Sequence, residues 1–223
     1  MFKYLKILFF VTILFIDLNS VAQQQKPAFY DDVQAFKKQD SINAPKKNAI
    51  VFIGSSSFTM WKNVQEMFPE YPIINRGFGG STLPDVQRYL DKILFPYQPK
   101  QVVIYVGEND VASDTVDSRM VTERFKSLFQ TIRQSLPGVP IVYISMKPSP
   151  SREKYLPIIK QANQMINNFL YQQKNTGYVD VYSRMLDASG KPKGDLFLDD
   201  KLHMNEKGYA IWQEALKPYL LKN

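Results

Sequence analysis

From residue 49 onward, short unbroken apolar runs trade places with longer amphipathic stretches, and no other feature of the chain restricts its fold as strongly. Ala49-Ile50-Val51-Phe52-Ile53, Pro72-Ile73-Ile74-Asn75, Val102-Val103-Ile104-Tyr105-Val106, Ile141-Val142-Tyr143-Ile144 and Tyr178-Val179-Asp180-Val181 are rich in Val, Ile and Tyr. Mostly continuous apolar runs of this length predict strands covered on both faces. Between them the pattern predicts helices from Leu83 to Leu94, Ser118 to Leu136 and Glu153 to Gln173, with a last one from Glu206 to Leu220. Pro137-Gly138 stops the second of these, and Asn175-Thr176-Gly177 marks the turn into the fifth strand. Such alternation predicts a parallel sheet with right-handed crossovers and helices on both faces. The expected fold is a three-layer α/β/α sandwich of flavodoxin-like type, its five parallel strands ordered 2-1-3-4-5.

A chain of 223 residues with 44% hydrophobic content closes one sizeable core and is too short for two comfortable domains. Its first residues read as a leader: Lys3 and Lys6 precede an apolar run from Ile7 to Ile16, followed by the small-residue pattern Ser20-Val21-Ala22. The run is short for a membrane span, so cleavage after Ala22 is expected, with export to a periplasm or the exterior and no stable membrane insertion afterwards. The division is then a signal peptide over 1–22, an extension over 23–47 whose Phe29, Val33 and Phe36 lie at helical spacing, and a catalytic-size domain over 48–223.

The net charge of +7 invites a nucleic-acid partner, but the lysines fall in scattered pairs such as Lys37-Lys38 and Lys46-Lys47, so none is expected. Zero cysteines exclude a disulfide framework, a thiol nucleophile and thiolate metal sites. With one histidine besides, a zinc site would be mostly carboxylate, and neither metal nor cofactor is expected. The oligomeric state stays open.

In open α/β sheets, ligands bind beyond the carboxyl ends of the strands. The first three strands run into Gly54-Ser55-Ser56-Ser57, Asn75-Arg76-Gly77-Phe78-Gly79-Gly80-Ser81 and Gly107-Glu108-Asn109-Asp110, and Asp199-Asp200-Lys201-Leu202-His203 stands ahead of the last helix. A serine hydroxyl needs a general base, and the base needs a carboxylate to fix its tautomer. If such a hydrolase is present, His203 is its base, because the chain has one histidine. Asp200 precedes it by about one helical turn, close enough to share a side of the backbone. The glycines after strand two let backbone amides approach a ligand. Asn109 offers a neutral donor for a developing oxyanion. Singly, each reading competes with a blander one: a helix cap at Asp200, a tight turn at the glycines, a turn or capping residue at Asn109.

Together the four segments resemble, in order, the four sequence blocks of the SGNH hydrolases, also called the GDSL lipase/esterase family, over Ile50 to Tyr209. The resemblance implies a Ser56, His203 and Asp200 triad and an oxyanion hole made by the backbone N–H groups of Ser56 and Gly80 with the Asn109 side chain. Ser55 stands where the family most often has Asp; this Gly-Ser-Ser-Ser form resembles the platelet-activating-factor-acetylhydrolase-like subtype. Three adjacent serines leave Ser55 and Ser57 as alternative hydroxyls.

The family cleaves acetyl groups from glycans, long acyl chains from lipids, and thioesters. Export favours glycan or cell-envelope esters, and the lack of a long apolar lid segment favours a short acyl group such as acetate. Trp61, Phe78 and Tyr105 are candidate pocket aromatics or core residues. The alternatives are a lysophospholipase or lipase-type acyl hydrolase, a phosphate or flavin binder, and a catalytically silent carbohydrate-binding relative.

Overall fold

A computed structural model describes residues 26–222, so the expected leader lies outside the described residues. In chain order the elements are α1 (Tyr30–Ile42), β1 (Ile50–Gly54), α2 (Ser56–Thr59), α3 (Val64–Met67), β2 (Ile73–Gly77), α4 (Leu83–Arg88), α5 (Leu90–Ile93), β3 (Gln101–Tyr105), α6 (Glu108–Val111), α7 (Ser118–Ser135), β4 (Ile141–Ile144), α8 (Leu156–Tyr171), β5 (Thr176–Val179) and α9 (Glu206–Leu216). The five strands are all parallel, in the order β2-β1-β3-β4-β5, which is the expected architecture.

Strands β1 and β3 are buried along their whole length because successive side chains enter opposite layers. Val51 and Ile53 pack with Val102 and Ile104 under α1, α4, α5, α7 and α8. Ile50 and Phe52 pack with Val103 and Tyr105 under α2, α3 and α9. In α7, Val121, Phe125, Leu128, Phe129 and Ile132 make one apolar stripe, while Asp117 caps the first turn by accepting from Met120 N at 2.8 Å.

Sequence expectation and structure part in several places: β2 runs on to Gly77, and the last helix ends at Leu216 and gives way to a 3₁₀ segment, Lys217–Tyr219. The stretch from Leu83 to Leu94 breaks at Tyr89, whose hydroxyl donates to Ala28 O at 2.7 Å. The helix expected from Glu153 opens as a 3₁₀ segment, Pro150–Tyr155, and turns α-helical at Leu156. Strand β5 starts two residues early and takes in Gly177, which pairs with Val142; a β-carbon there would meet the Tyr219 ring at 2.9 Å, so glycine is needed at this position.

Candidate active site

The chain reverses order between β2-β1 and β3, and that reversal leaves a crevice beyond the carboxyl ends of β1 and β3. Gly54 ends β1 with φ +152, where a β-carbon would lie 1.9 Å from Tyr105 O. Glycine is therefore required at this position. Ser55 N donates to Tyr105 O at 3.0 Å, and the backbone then enters α2 at Ser56. Of the three serines, Ser55 and Ser57 are only 3% and 2% exposed, whereas Ser56 is half-buried with part of its surface open. Phe58 anchors α2 from below, fully buried and packed against Phe52 and Trp212 with ring centroids 5.0 and 6.2 Å away.

The glycine-rich loop is stitched to the same spot. Gly54 O accepts from Phe78 N at 2.9 Å and from Ser81 Oγ at 3.2 Å. Asn75 braces the loop's start, donating to Phe58 O at 2.7 Å and accepting from Gly77 N at 3.0 Å. Gly79 and Gly80 are exposed, and a β-carbon on Gly79 would sit 3.9 Å from the Ser56 β-carbon. Gly80 has φ +78, which a β-carbon would strain.

Asn109 is tied to this loop, its Nδ2 donating to Ser81 O at 3.0 Å. One of its two amide hydrogens remains for another acceptor. Next to it Asp110 accepts from Leu83 N at 2.9 Å and pairs with Arg124 at 2.8 Å, joining α6 to α4 and α7.

Asp200 and His203 make direct contact, Asp200 Oδ2 lying 2.5 Å from His203 Nδ1. Asp200 Oδ1 accepts from the backbone N–H of Leu202 and of His203, both at 2.9 Å. Desolvation pushes this carboxyl up, but the backbone and ring of His203, with the Leu202 N–H, outweigh it and bring the pKa down to about 2. Asp200 does not cap α9; that role falls to Asn205, which accepts from Lys207 N at 3.0 Å. Tyr209, in the second turn of α9, donates to Ser57 O at 2.8 Å and fixes that helix against α2.

The segment Lys147-Pro148-Ser149-Pro150-Ser151-Arg152 matches no motif in the sequence, although its basic residues follow a strand, at the ligand-binding end of the sheet. Asn163 of α8 holds its start by bonding Met146 N and O, each at 2.9 Å. Lys147 is 1% exposed and Glu108 4%. Glu108 Oε2 accepts from Lys147 Nζ at 2.5 Å and from Tyr105 OH at 2.6 Å, and Oε1 accepts from Ser149 Oγ. Desolvation alone would raise the Glu108 carboxyl, yet the Lys147 ammonium and these hydrogen bonds hold it below the usual range. Arg152 donates to Glu108 O at 2.9 Å and to Asn109 Oδ1 at 3.0 Å. Ser151 N donates to Lys201 O at 3.0 Å. One connector therefore holds both the Asn109 turn and the Asp200–His203 loop.

Trp61, Phe78 and Tyr105 are at most 1% exposed and belong to the core, not to a pocket wall. A hollow of about 680 Å³ runs along α1 and the β2 edge, lined in part by Asp40, Asn43, Gln65 and Arg76, and reaches none of Ser56, Asp200 or His203. The chemistry thus marks the strand ends rather than this hollow. No group of three or more His, Asp or Glu side chains arranged to hold a metal ion occurs among the described residues. A part-exposed hydroxyl, an imidazole with one nitrogen held by a carboxylate, and neighbouring glycine amides are the groups that acyl transfer through a serine requires.

Solved structures of other proteins share the fold. A protein provisionally described as a platelet activating factor, from Streptococcus pneumonia, superposes with a TM-score of 0.74 at 23% identity, over 86% of this chain and 92% of that one. A GDSL-like lipase from Bacteroides thetaiotaomicron gives 0.70 at 19% identity, over 84% and 96%. A catalytic mutant of an acetylxylan esterase from Geobacillus stearothermophilus gives 0.62 at 16% identity, over 80% and 96%. A search of curated proteins finds no match. The sequence profile of the GDSL-like lipase/acylhydrolase family matches residues 49–211, and the chain accordingly belongs to that family and is a carboxylic ester hydrolase.

Proposed function

We propose that the protein is an exported esterase that removes short acyl groups, acetyl above all, from glycan or related envelope esters by two-step acyl transfer through Ser56. The observation that carries this reading is the Asp200–His203 contact: the only histidine in the chain has Nδ1 engaged by a carboxylate at 2.5 Å, which supports a role for Nε2 in the proton traffic.

In the first step His203 takes the Ser56 proton as Oγ attacks the ester carbonyl. The oxyanion is stabilised by Ser56 N–H, Gly80 N–H and Asn109 Nδ2, and His203 returns the proton to the departing alcohol. Water, activated by the same imidazole, then releases the acid. The burial of Ser55 and Ser57 supports Ser56 as the nucleophile. The short-acyl preference is supported by the absence of a long apolar lid segment after any strand among the described residues. The glycan reading is supported by the fold shared with an acetylxylan esterase and by the expected leader. No helix among the described residues is long and apolar enough to cross a membrane.

The test is acid release from acetylated oligosaccharides and from aryl esters of increasing acyl length, comparing the parent with Ser56→Ala. Turnover of short esters by the parent and none by the folded variant is the expected result. Equal inactivity of both on every ester would overturn the proposal.

A further inference from the structure

We infer that Phe29, outside the family-matched region, is a specificity-determining residue that walls the acyl side of the site and restricts it to short chains; this rests on the esterase reading above. The first described turn of the chain lies beside the glycine loop. A β-carbon placed on Gly80 would come 3.8 Å from the Phe29 ring, with Gly80 itself exposed. The ring is half-buried, tilted at 57° against Phe78 with centroids 5.3 Å apart. Phe78 in turn meets Tyr89 edge-on at 6.0 Å, and the Tyr89 hydroxyl holds Ala28 O.

Phe29 precedes α1 with φ 64, a left-handed conformation that costs a residue bearing a β-carbon. Strain of this kind persists only where the surroundings over-determine it, and it is found preferentially at sites of function. The surroundings here are firm. Val33 is 2% exposed in the core. At the other end of α1, Asp40 pairs with the buried Arg76 and accepts from Tyr97 OH at 2.5 Å. Residues 26–42 thus form a clamped strap whose leading aromatic faces the candidate oxyanion loop, although the family profile begins at 49.

The direction of the wall follows from the chemistry. His203 must protonate the leaving alcohol, so the alcohol lies toward the imidazole. The His203 loop is tied through Lys201 to Ser151, in the 3₁₀ segment between β4 and α8, whereas Phe29 lies by the loop after β2, at the opposite side of β1. The acyl carbon chain therefore extends toward Phe29 and meets the ring within a few methylenes.

The experiment is kcat/KM on p-nitrophenyl acetate, butyrate, hexanoate and octanoate for the parent, Phe29→Gly, Phe29→Leu and Phe29→Trp. Glycine tolerates the positive φ, and leucine keeps an apolar contact with Phe78, so the pair separates loss of the ring from loss of fold. The hexanoate-to-acetate ratio is expected to rise about tenfold in Phe29→Gly, less in Phe29→Leu, and to fall in Phe29→Trp, the size expected when a pocket gains or loses a few methylenes of space. A ratio constant within twofold across the folded variants, even if all rates drop together, would show a merely structural ring and overturn the inference. Failure of the esterase reading looks different: the parent itself would turn over no ester, or Ser56→Ala would match it.

Discussion

Arg152 Nη2 donates to Asn109 Oδ1 at 3.0 Å while Asn109 Nδ2 donates to Ser81 O at 3.0 Å, so both ends of one side-chain amide are committed and its orientation is set. The remaining Nδ2 hydrogen has a fixed direction before any substrate arrives, which is what an oxyanion donor needs. Asn109→Ala is expected to lower kcat by about 100- to 1,000-fold with the fold retained, as loss of one such donor does. Steady-state kinetics beside circular dichroism checks this, and a variant within a few fold of the parent would remove Asn109 from the oxyanion hole.

With Asn109 as the proposed oxyanion donor, Arg152 would act through it, as a positioning residue. A hydrogen bond to a charged group contributes about 1.5–3 kcal/mol, so Arg152→Ala is expected to lower kcat by about 10- to 100-fold with a smaller change in KM. Arg152→Lys should restore part of this, since an ammonium reaches one of the two acceptors and not both. Equal loss in the lysine and alanine variants, accompanied by a drop in thermal midpoint, would mean that Arg152 only braces the loop.

The Lys147–Glu108 pair lies one residue from Asn109 and is almost fully buried. Removing one partner of a buried pair leaves an uncompensated charge and costs about 3–5 kcal/mol. Lys147→Met is expected to fall in that range in urea unfolding, and Lys147→Met with Glu108→Gln to regain much of the loss. A single variant within 1 kcal/mol of the parent would show that the carboxyl finds another partner.

The same pair sets a pH dependence. Glu108 is depressed in the folded state, so the unfolded chain binds the proton more readily. The stabilisation is therefore fully present above the unfolded value of about 4.3 and is lost as pH falls below it toward the folded value. Unfolding midpoints measured from pH 7 down to pH 3 should decline below about pH 4.3 in the parent and decline less in Glu108→Gln. Parallel curves for the two proteins would assign the acid sensitivity elsewhere.

What the sequence makes legible is what local pattern encodes. Continuous apolar runs located β1, β3 and β4 to within a residue, and the segments that follow β1, β2 and β3 carry Ser56, Gly80 and Asn109. The contacts that escaped are those between residues far apart in the chain. The Tyr89 hydroxyl at the helix break reaches Ala28, and Gly177 within β5 leaves room for the Tyr219 ring. The Arg152 turn is distorted, with φ −116 inside a 3₁₀ segment, where its side chain reaches back to Asn109. No window of sequence contains both members of these pairs. A basic residue in a proline-rich loop after β4 was the available signal for Arg152, but it names no partner. The leader remains an expectation from residues outside those the structure describes.

Asp200 separates orientation from charge. Its Oδ1 holds the loop through two backbone N–H groups, and its Oδ2 meets His203 Nδ1. In Asp200→Asn the amide oxygen can keep the two loop bonds, while the NH₂ group replaces Oδ2 against the ring. Facing a donor, Nδ1 becomes the acceptor and the proton moves to Nε2, the nitrogen that in the proposed mechanism accepts from Ser56. The expected loss in kcat is about 10,000-fold, the size seen when a triad carboxylate of a serine protease is made an amide. Asp200→Ala loses the loop bonds as well, so it should melt lower than Asp200→Asn without being more active. With the parent carboxyl near 2, Asp200 is ionised throughout pH 4–9, and any acidic limb of kcat/KM in that range belongs to another group. Nearly half of the Asp200 side chain is exposed, so solvent screening keeps the stability difference small, and the kinetics carry the decision. An Asp200→Asn variant that retains a tenth of parental kcat would show that His203 needs no carboxylate to hold its tautomer.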